Sequence, residues 1–226
     1  MGIQSIPEHE LARLREKAKE ITGSQFDYQS SYTELLSRRL NGEPLQYIEE
    51  YVPFYSIQIN VDQRCLIPRP ETEYMIEIIK NNIDMPKKIL DVGTGTGCIA
   101  LMMKKLFPDS EVHAVDISND ALSLAKENAE INNLEINFYQ SDLLNNVETL
   151  DFDLIVANLP YIPTSTLSTL NKEVIDHEPL IALDGGEDGR LYIDKLLNDL
   201  KNIDSKELVL VLEVDTSHAE SLLSSF

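Results

Sequence analysis

The run Lys88-Ile89-Leu90-Asp91-Val92 leads straight into Gly93-Thr94-Gly95-Thr96-Gly97, and the next segment spaces Ile99, Leu101, Met102 and Leu106 as a helix does. Glycine at alternate positions lets a backbone turn sharply and approach a ligand without Cβ interference, while the following helix presents its N-terminal amides. A strand apolar along its length is buried on both faces, as in a parallel sheet covered by helices. The alternation continues downstream: strand 111–117, helix 121–132, strands 136–140 and 152–157, helix 191–200 and strand 208–214. This order predicts a doubly wound α/β fold. In such a fold ligands sit beyond the carboxyl ends of the strands, at the topological switch point.

The segment before residue 87 reads differently. Leu11, Leu14, Ala18 and Ile21 form one apolar stripe among charged residues, the mark of an amphipathic helix, and a second short helix is expected over 32–40. Asn41-Gly42-Glu43-Pro44 ends it. The stretch to Asp62, with Tyr47, Tyr51, Phe54, Ile57 and Ile59, reads as extended or hairpin-like. Three parts are therefore expected: a helical segment 1–45, a linker, hairpin and lid segment 46–86, and the α/β domain 87–226.

Charge narrows the partners. Lys+Arg 19 against Asp+Glu 39 leaves a net charge of −20, which disfavours the basic footprint of a nucleic-acid binder and suits basic protein partners. No stable nucleic-acid complex is expected, and a monomer is. Cys65 and Cys98 stand singly without metal-ligand spacing, so neither a disulfide framework nor a metal site is indicated. Residues 1–20 are charged throughout, and no apolar run approaches the roughly 18 residues of a membrane span. A cytoplasmic protein is expected.

The chemistry lies just after the strands. Asp116 ends the second strand about 20 residues beyond the glycine turn, where a carboxylate accepts both hydroxyls of a ribose. The spacing Gly-x-Gly-x-Gly, preceded by Asp91, resembles the first motif of class I S-adenosylmethionine (SAM) methyltransferases. In that family the loop holds the methionine end of the cofactor, and Asp142 with Leu143 occupies the place that receives the adenine.

The fourth strand ends in Asn158-Leu159-Pro160-Tyr161. An amide nitrogen is a poor nucleophile because its lone pair is delocalised, so methylating one requires acceptors that hold both N–H bonds and leave the lone pair aimed at the methyl group. The Asn158 oxygen and a nearby main-chain carbonyl are the candidate acceptors. Pro160 stiffens the loop, and the Tyr161 ring offers a flat face to a planar group. The tetrapeptide resembles the Asn/Asp-Pro-Pro-Tyr signature of methyltransferases acting on planar amino groups.

Two flanking segments, Gly42-Glu43-Pro44-Leu45-Gln46-Tyr47-Ile48 with Leu66-Ile67-Pro68-Arg69-Pro70-Glu71-Thr72-Glu73, and His177-Glu178-Pro179 with Ala182-Leu183-Asp184-Gly185-Gly186-Glu187-Asp188-Gly189, are similar to those of the HemK/PrmC-type peptide chain release factor glutamine N5-methyltransferases. The resemblance implies methyl transfer from SAM to the glutamine of the release factors' Gly-Gly-Gln loop, by a small helical substrate-recognition domain joined to a class I methyltransferase domain. Carried over by position, Gly93, Thr94, Gly95, Thr96, Gly97, Asp116, Asp142, Leu143 and Asn158 contact the cofactor. Asn158, Leu159, Pro160 and Tyr161 hold the substrate amide, and Arg69 and Glu71 are lid or support residues.

Leu159 stands where that signature has proline, a form similar to the rRNA adenine N6-dimethyltransferases. Adenine-N6 methylation of nucleic acid is the alternative, and a SAM-binding protein without turnover is a third reading. The helical segment is shorter than the family's, and the chain stops at Phe226, short of the antiparallel strand pair that ends a class I fold after a helix. Those last strands are expected to be missing, with the fifth strand's outer edge uncovered. His9, His113 and His218 are expected at the surface or beside strands, whereas His177, inside a family-like loop, is a secondary candidate for the site.

Overall fold

The computed structural model describes residues 6–201 and 208–224, so Phe226 lies outside the described residues. Helix α1 (Glu8–Thr22) opens with Glu8 and Glu10 in its first turn, where carboxylates offset the positive helix end, and stops at Gly23 in the left-handed conformation. With α2 (Gln29–Leu40) and α3 (Leu45–Glu49) it closes a small core of Leu14, Ala18, Leu35, Leu45 and Ile48. The expected extended stretch after Asn41 thus begins with a helical turn: Pro44 sets φ at −53°, and Leu45 and Ile48, three apart, share the buried face. Arg39 ties this unit to the rest of the chain, donating to Glu10 at 2.6 Å and to Glu173 at 3.1 Å.

A hairpin follows, β1 (Tyr51–Phe54) and β2 (Ile57–Asn60), antiparallel with Val52 opposite Ile59. Its buried face, Val52, Phe54, Ile57 and Ile59, is a strict alternation. Next comes α4 (Pro70–Asn82), hidden in what the sequence presents as a linker. Its signals are local: Pro70 in the first turn, Glu71 and Glu73 beside the positive helix end, and Met75, Ile76 and Ile79 as a buried stripe.

The sheet is built from β3 (Lys88–Val92), β4 (Glu111–Asp116), β5 (Asn137–Gln140), β6 (Leu154–Asn158) and β7 (Val209–Glu213), all parallel in the order β5-β4-β3-β6-β7. Helices α5 (Cys98–Leu106), α6 (Asn119–Asn132), α7 (Lys172–His177), α8 (Leu191–Leu200) and α9 (Thr216–Leu223) intervene or follow. Ile89, Leu154 and Val156 pack on one face with Leu101 and Met102 of α5 and the hairpin, while Leu90, Val92, Ile155 and Ala157 pack on the other with Ile193 and Leu196 of α8 and Leu222 of α9. The chain steps outward from β3 to β5 and then returns to the far side of β3, so the crevice forms at the ends of β3 and β6. Among the described residues β7 pairs only with β6. No helix among them is long and apolar enough to cross a membrane.

Fully buried Asn128 of α6 locks the hairpin to this crevice. Its amide donates to Asn60 O (3.0 Å) and Thr96 O (2.9 Å) and accepts from Asn60 N (2.7 Å), so burial leaves no polar atom unpaired.

Candidate active site

The glycine turn is folded back against β4: the amides of Gly93 and Thr94 both donate to Val115 O at 2.9 Å. Gly95 N donates to Asp116 Oδ2 and Ser118 N to Oδ1, each at 2.9 Å, so the carboxylate is fixed at the strand end. Burial raises the Asp116 pKa, and those amides oppose the rise. Beneath the turn Asp91 is fully buried. Its Oδ2 accepts from Thr94 Oγ1 (2.6 Å) and Ala100 N (3.1 Å), while Oδ1 is buried with no partner.

Burial pushes the Asp91 carboxyl up to about 7. In the unfolded chain it ionises near pH 4, as a free aspartate does at about 3.9. Between these values the unfolded state releases a proton that the folded state keeps, so the stabilisation present at low pH is lost as pH rises through the folded pKa. We expect the stability of the wild type relative to Asp91→Asn to fall across this window and level off above it. Thermal unfolding of both proteins at a series of pH values checks this, and a difference flat with pH contradicts it.

Gly93, Thr94, Gly95, Thr96, Asp116, Asp142, Leu143, Asn158, Leu159 and Pro160 all line one cleft, which with its open mouth encloses about 1060 Å³. Gly97 is not on its wall. A Cβ there would stand 3.1 Å from Ala125 Cβ, so this glycine serves the close approach of α5 and α6. Asp142 is held from outside, its Oδ2 accepting from Lys195 Nζ at 2.6 Å and Asn145 Nδ2 at 3.3 Å. Leu143 is buried with φ at +51°, an unusual conformation for a leucine that turns the chain along the cleft wall.

At the end of β6 the Asn158 Nδ2 donates to Thr72 Oγ1 at 3.3 Å. Leu159 is buried against the glycine turn, its Cδ2 only 2.9 Å from where a Cβ on Gly93 would stand. Tyr161 turns away from the cleft and lines a second cavity together with Arg69 and Glu213, its hydroxyl donating to Glu213 Oε1 at 3.4 Å. Burial first, then the Glu213 carboxylate, raises the Tyr161 pKa. Asn158, Leu159 and Pro160 line both cavities, together with Leu66, Arg69 and Ala182.

Arg69 lines both cavities and donates to Glu178 Oε1 at 2.7 Å, while Glu178 Oε2 accepts from Ile67 N at 3.1 Å. The proline-flanked segment is thereby stapled to the loop after α7. Glu71 is on the solvent side of α4, and Thr72 takes the wall position. His177 lines neither cavity; it lies beside the turn after α2, where a Cβ on Gly42 would be 3.8 Å from its Nε2. His218 is buried rather than superficial, because α9 packs onto the loop before α8 and its Nε2 meets Asp188 O at 3.0 Å. His113 lies within β4, its Nε2 3.0 Å from Glu111 Oε1, and His9 is exposed. Both cysteines are free and buried, and burial raises both thiol pKa values, that of Cys98 to about 12. Among the described residues no group of three or more His, Cys, Asp or Glu is arranged to hold a metal ion.

The family profile described as the methyltransferase small domain matches residues 70–187. A release factor glutamine methyltransferase of Koribacter versatilis is 42% identical over 75% of this chain and 62% of its own length. One of Bacillus cereus is 34% identical over 94% of this chain and 75% of its own length, so the chain spans 62% to 75% of these relatives' length. A solved methyltransferase structure from Pyrococcus furiosus, 21% identical, superimposes with a TM-score of 0.55 over 85% of this chain and 83% of that one, which identifies the fold as that of the class I methyltransferases. The strand order, the match over 70–187 and the similarity to full-length relatives agree: the chain belongs to the family of release factor glutamine methyltransferases.

Proposed function

We propose that the protein transfers a methyl group from SAM to the side-chain amide nitrogen of the glutamine in the Gly-Gly-Gln loop of translation release factors. The observation that carries this reading is Asn158 on the wall shared by the two cavities, its Nδ2 engaged by Thr72 Oγ1. With the nitrogen tied back, Oδ1 is left to accept from a substrate N–H. An amide held in this way, with a main-chain carbonyl of the same loop on its second N–H, keeps its lone pair directed across the shared wall.

The large cleft fits SAM by its donors and acceptors. A Cβ on Gly95 would meet nothing within 4 Å, so the turn faces open cleft. Asp116 would take the ribose hydroxyls with the lone pairs its two amides leave free, and Asp142 and Leu143 would take the adenine amino group and ring. SAM, when bound, supplies an electrophilic methyl carbon on a positive sulfonium. The chain's own part is orientation and exclusion of water, because the product amide sheds a proton that has become acidic and needs no strong base. The helical segment carries recognition of the release factor body, and the acidic surface suits a basic loop. We place this activity in the cytoplasm and on a monomer.

Asp116→Ala is expected to weaken SAM binding by roughly 1–3 kcal/mol through loss of charge-assisted bonds to the ribose. Calorimetry measures this, and a protein that binds NAD more tightly than SAM contradicts the cofactor assignment. The acceptor is tested by incubation with radiolabelled SAM and, separately, a release factor and rRNA. Label in the release factor alone is expected. Label in rRNA alone supports the adenine alternative, and label in neither despite SAM binding supports a protein without turnover.

A further inference from the structure

β6 and β7 run side by side with Asn158 opposite Glu213, so both side chains leave the sheet at the same level. Glu213 lines the second cavity, which with its open mouth encloses about 550 Å³ and shares Asn158, Leu159 and Pro160, among other residues, with the cofactor cleft. Glu213 does not line the cofactor cleft. One of its oxygens receives the Tyr161 hydroxyl, but Oε2 is buried with no hydrogen-bond partner. A buried, half-satisfied carboxylate is costly and calls for a donor. Of the other walls, Leu66, Leu170, Val174 and Leu183 have no side-chain donor, Asn158 Nδ2 is given to Thr72, and Arg69, which donates to Glu178, makes no bond to Oε2.

A segment of polypeptide brings the missing donor with it. The apolar walls suit the methylenes of a long side chain whose terminal amide reaches Asn158, and the main chain carrying that side chain then has an N–H to give. On the reading that the acceptor is a glutamine amide, we infer that Glu213 is a substrate contact whose Oε2 accepts a hydrogen bond from the main-chain N–H of the residue being methylated. The second cavity thereby selects an amide borne on a polypeptide over a nucleobase, which has no such N–H.

The test uses the full chain, labelled SAM and two synthetic peptides containing Gly-Gly-Gln. The second peptide is an ester analogue in which oxygen replaces the main-chain N–H of the acceptor glutamine. For the wild type we expect kcat/KM to be lower on the ester by about tenfold or more, the usual effect of a lost hydrogen bond to a charged group. Glu213→Gln keeps an acceptor for Tyr161 but loses the charge. It should turn over the amide peptide with a similar loss, discriminate amide from ester by less than about threefold, and hold SAM within about twofold of wild type by calorimetry, as a coupled pair requires. Equal rates on the two peptides in the wild type, or the same ester penalty in both proteins, overturns the contact. If Glu213→Gln does not fold, the wild-type peptide pair still decides. A wild type that binds SAM and methylates neither the peptide nor a release factor overturns the acceptor reading, and the contact with it.

Discussion

Asn158→Ala is expected to lower turnover on a Gly-Gly-Gln substrate by about 10²–10³-fold, or roughly 2.7–4 kcal/mol of transition-state stabilisation, the scale seen when one preorganised polar group is removed from an active site. The loss should fall on the methyl-transfer step, with SAM affinity largely retained. Asn158 is one residue among the many that line the cofactor cleft, whereas the acceptor side depends on its single carboxamide, held by Thr72. Asn158→Asp keeps an acceptor oxygen but adds a charge that must be desolvated beside the substrate, so intermediate activity is expected. Single-turnover rates at saturating SAM, with calorimetric SAM binding on the same samples, measure both halves. A rate within about threefold of wild type contradicts the role given to Asn158, and lost SAM binding instead assigns it to the cofactor.

Gly189→Ala should have the largest effect on stability. Gly189 has φ of +81°, and a Cβ there would overlap the Tyr161 carbonyl oxygen and stand 2.9 Å from His218 Cε1. The loop around it has little room to yield. Gly185 N donates to Ile162 O at 2.8 Å, Ile162 N to Leu183 O at 3.1 Å, and His218 of α9 holds Asp188 O. Backbone strain and overpacking together are expected to cost about 2–5 kcal/mol. For a chain of this length each kcal/mol lowers Tm by about 2–4 °C. Relief by moving Tyr161 would shift the second cavity, the proposed seat of the substrate, so activity should fall even below the melting transition. Thermal unfolding of Gly189→Ala against wild type checks the first part, and an unchanged Tm contradicts the tight packing behind the catalytic loop.

The sheet was legible because its strands are apolar on both faces; Ile89, Leu90, Ile155 and Val156 could lie nowhere but inside. The place of the glycine turn, Asp116 and Asp142 on the cleft was legible too, since the carboxyl end of each parallel strand falls at the crevice whatever the details of packing. Three glycines in one turn look alike in sequence but differ in what surrounds them: Gly95 faces open cleft, whereas Gly97 faces Ala125. The residues that were missed act across long separations. Thr72 meets Asn158 from 86 positions away, and Glu178 meets Arg69 from 109. No local periodicity announces such pairings. The one available signal for Glu178 was an acidic residue fixed beside Pro179 in a loop whose neighbours resemble the family. Helix α4, by contrast, carried ordinary start signals at Pro70 and Glu71 that the proline-rich lead-in obscured. His218 is buried because helix α9, which the sequence reading does not include, packs it against Asp188 O in the loop before α8.

The atom that receives the methyl group separates a glutamine methyltransferase from the alternatives. Incubating the protein with isotopically labelled SAM and a release factor, then mapping the modified residue by fragmentation mass spectrometry, identifies that atom most directly. A single labelled methyl is expected on the side-chain amide nitrogen of the glutamine in the Gly-Gly-Gln loop, with at least about a hundredfold less in Asn158→Ala over the same initial-rate interval. Label on any other residue of the release factor, or on that glutamine to an equal extent with Asn158→Ala, would contradict the proposed function.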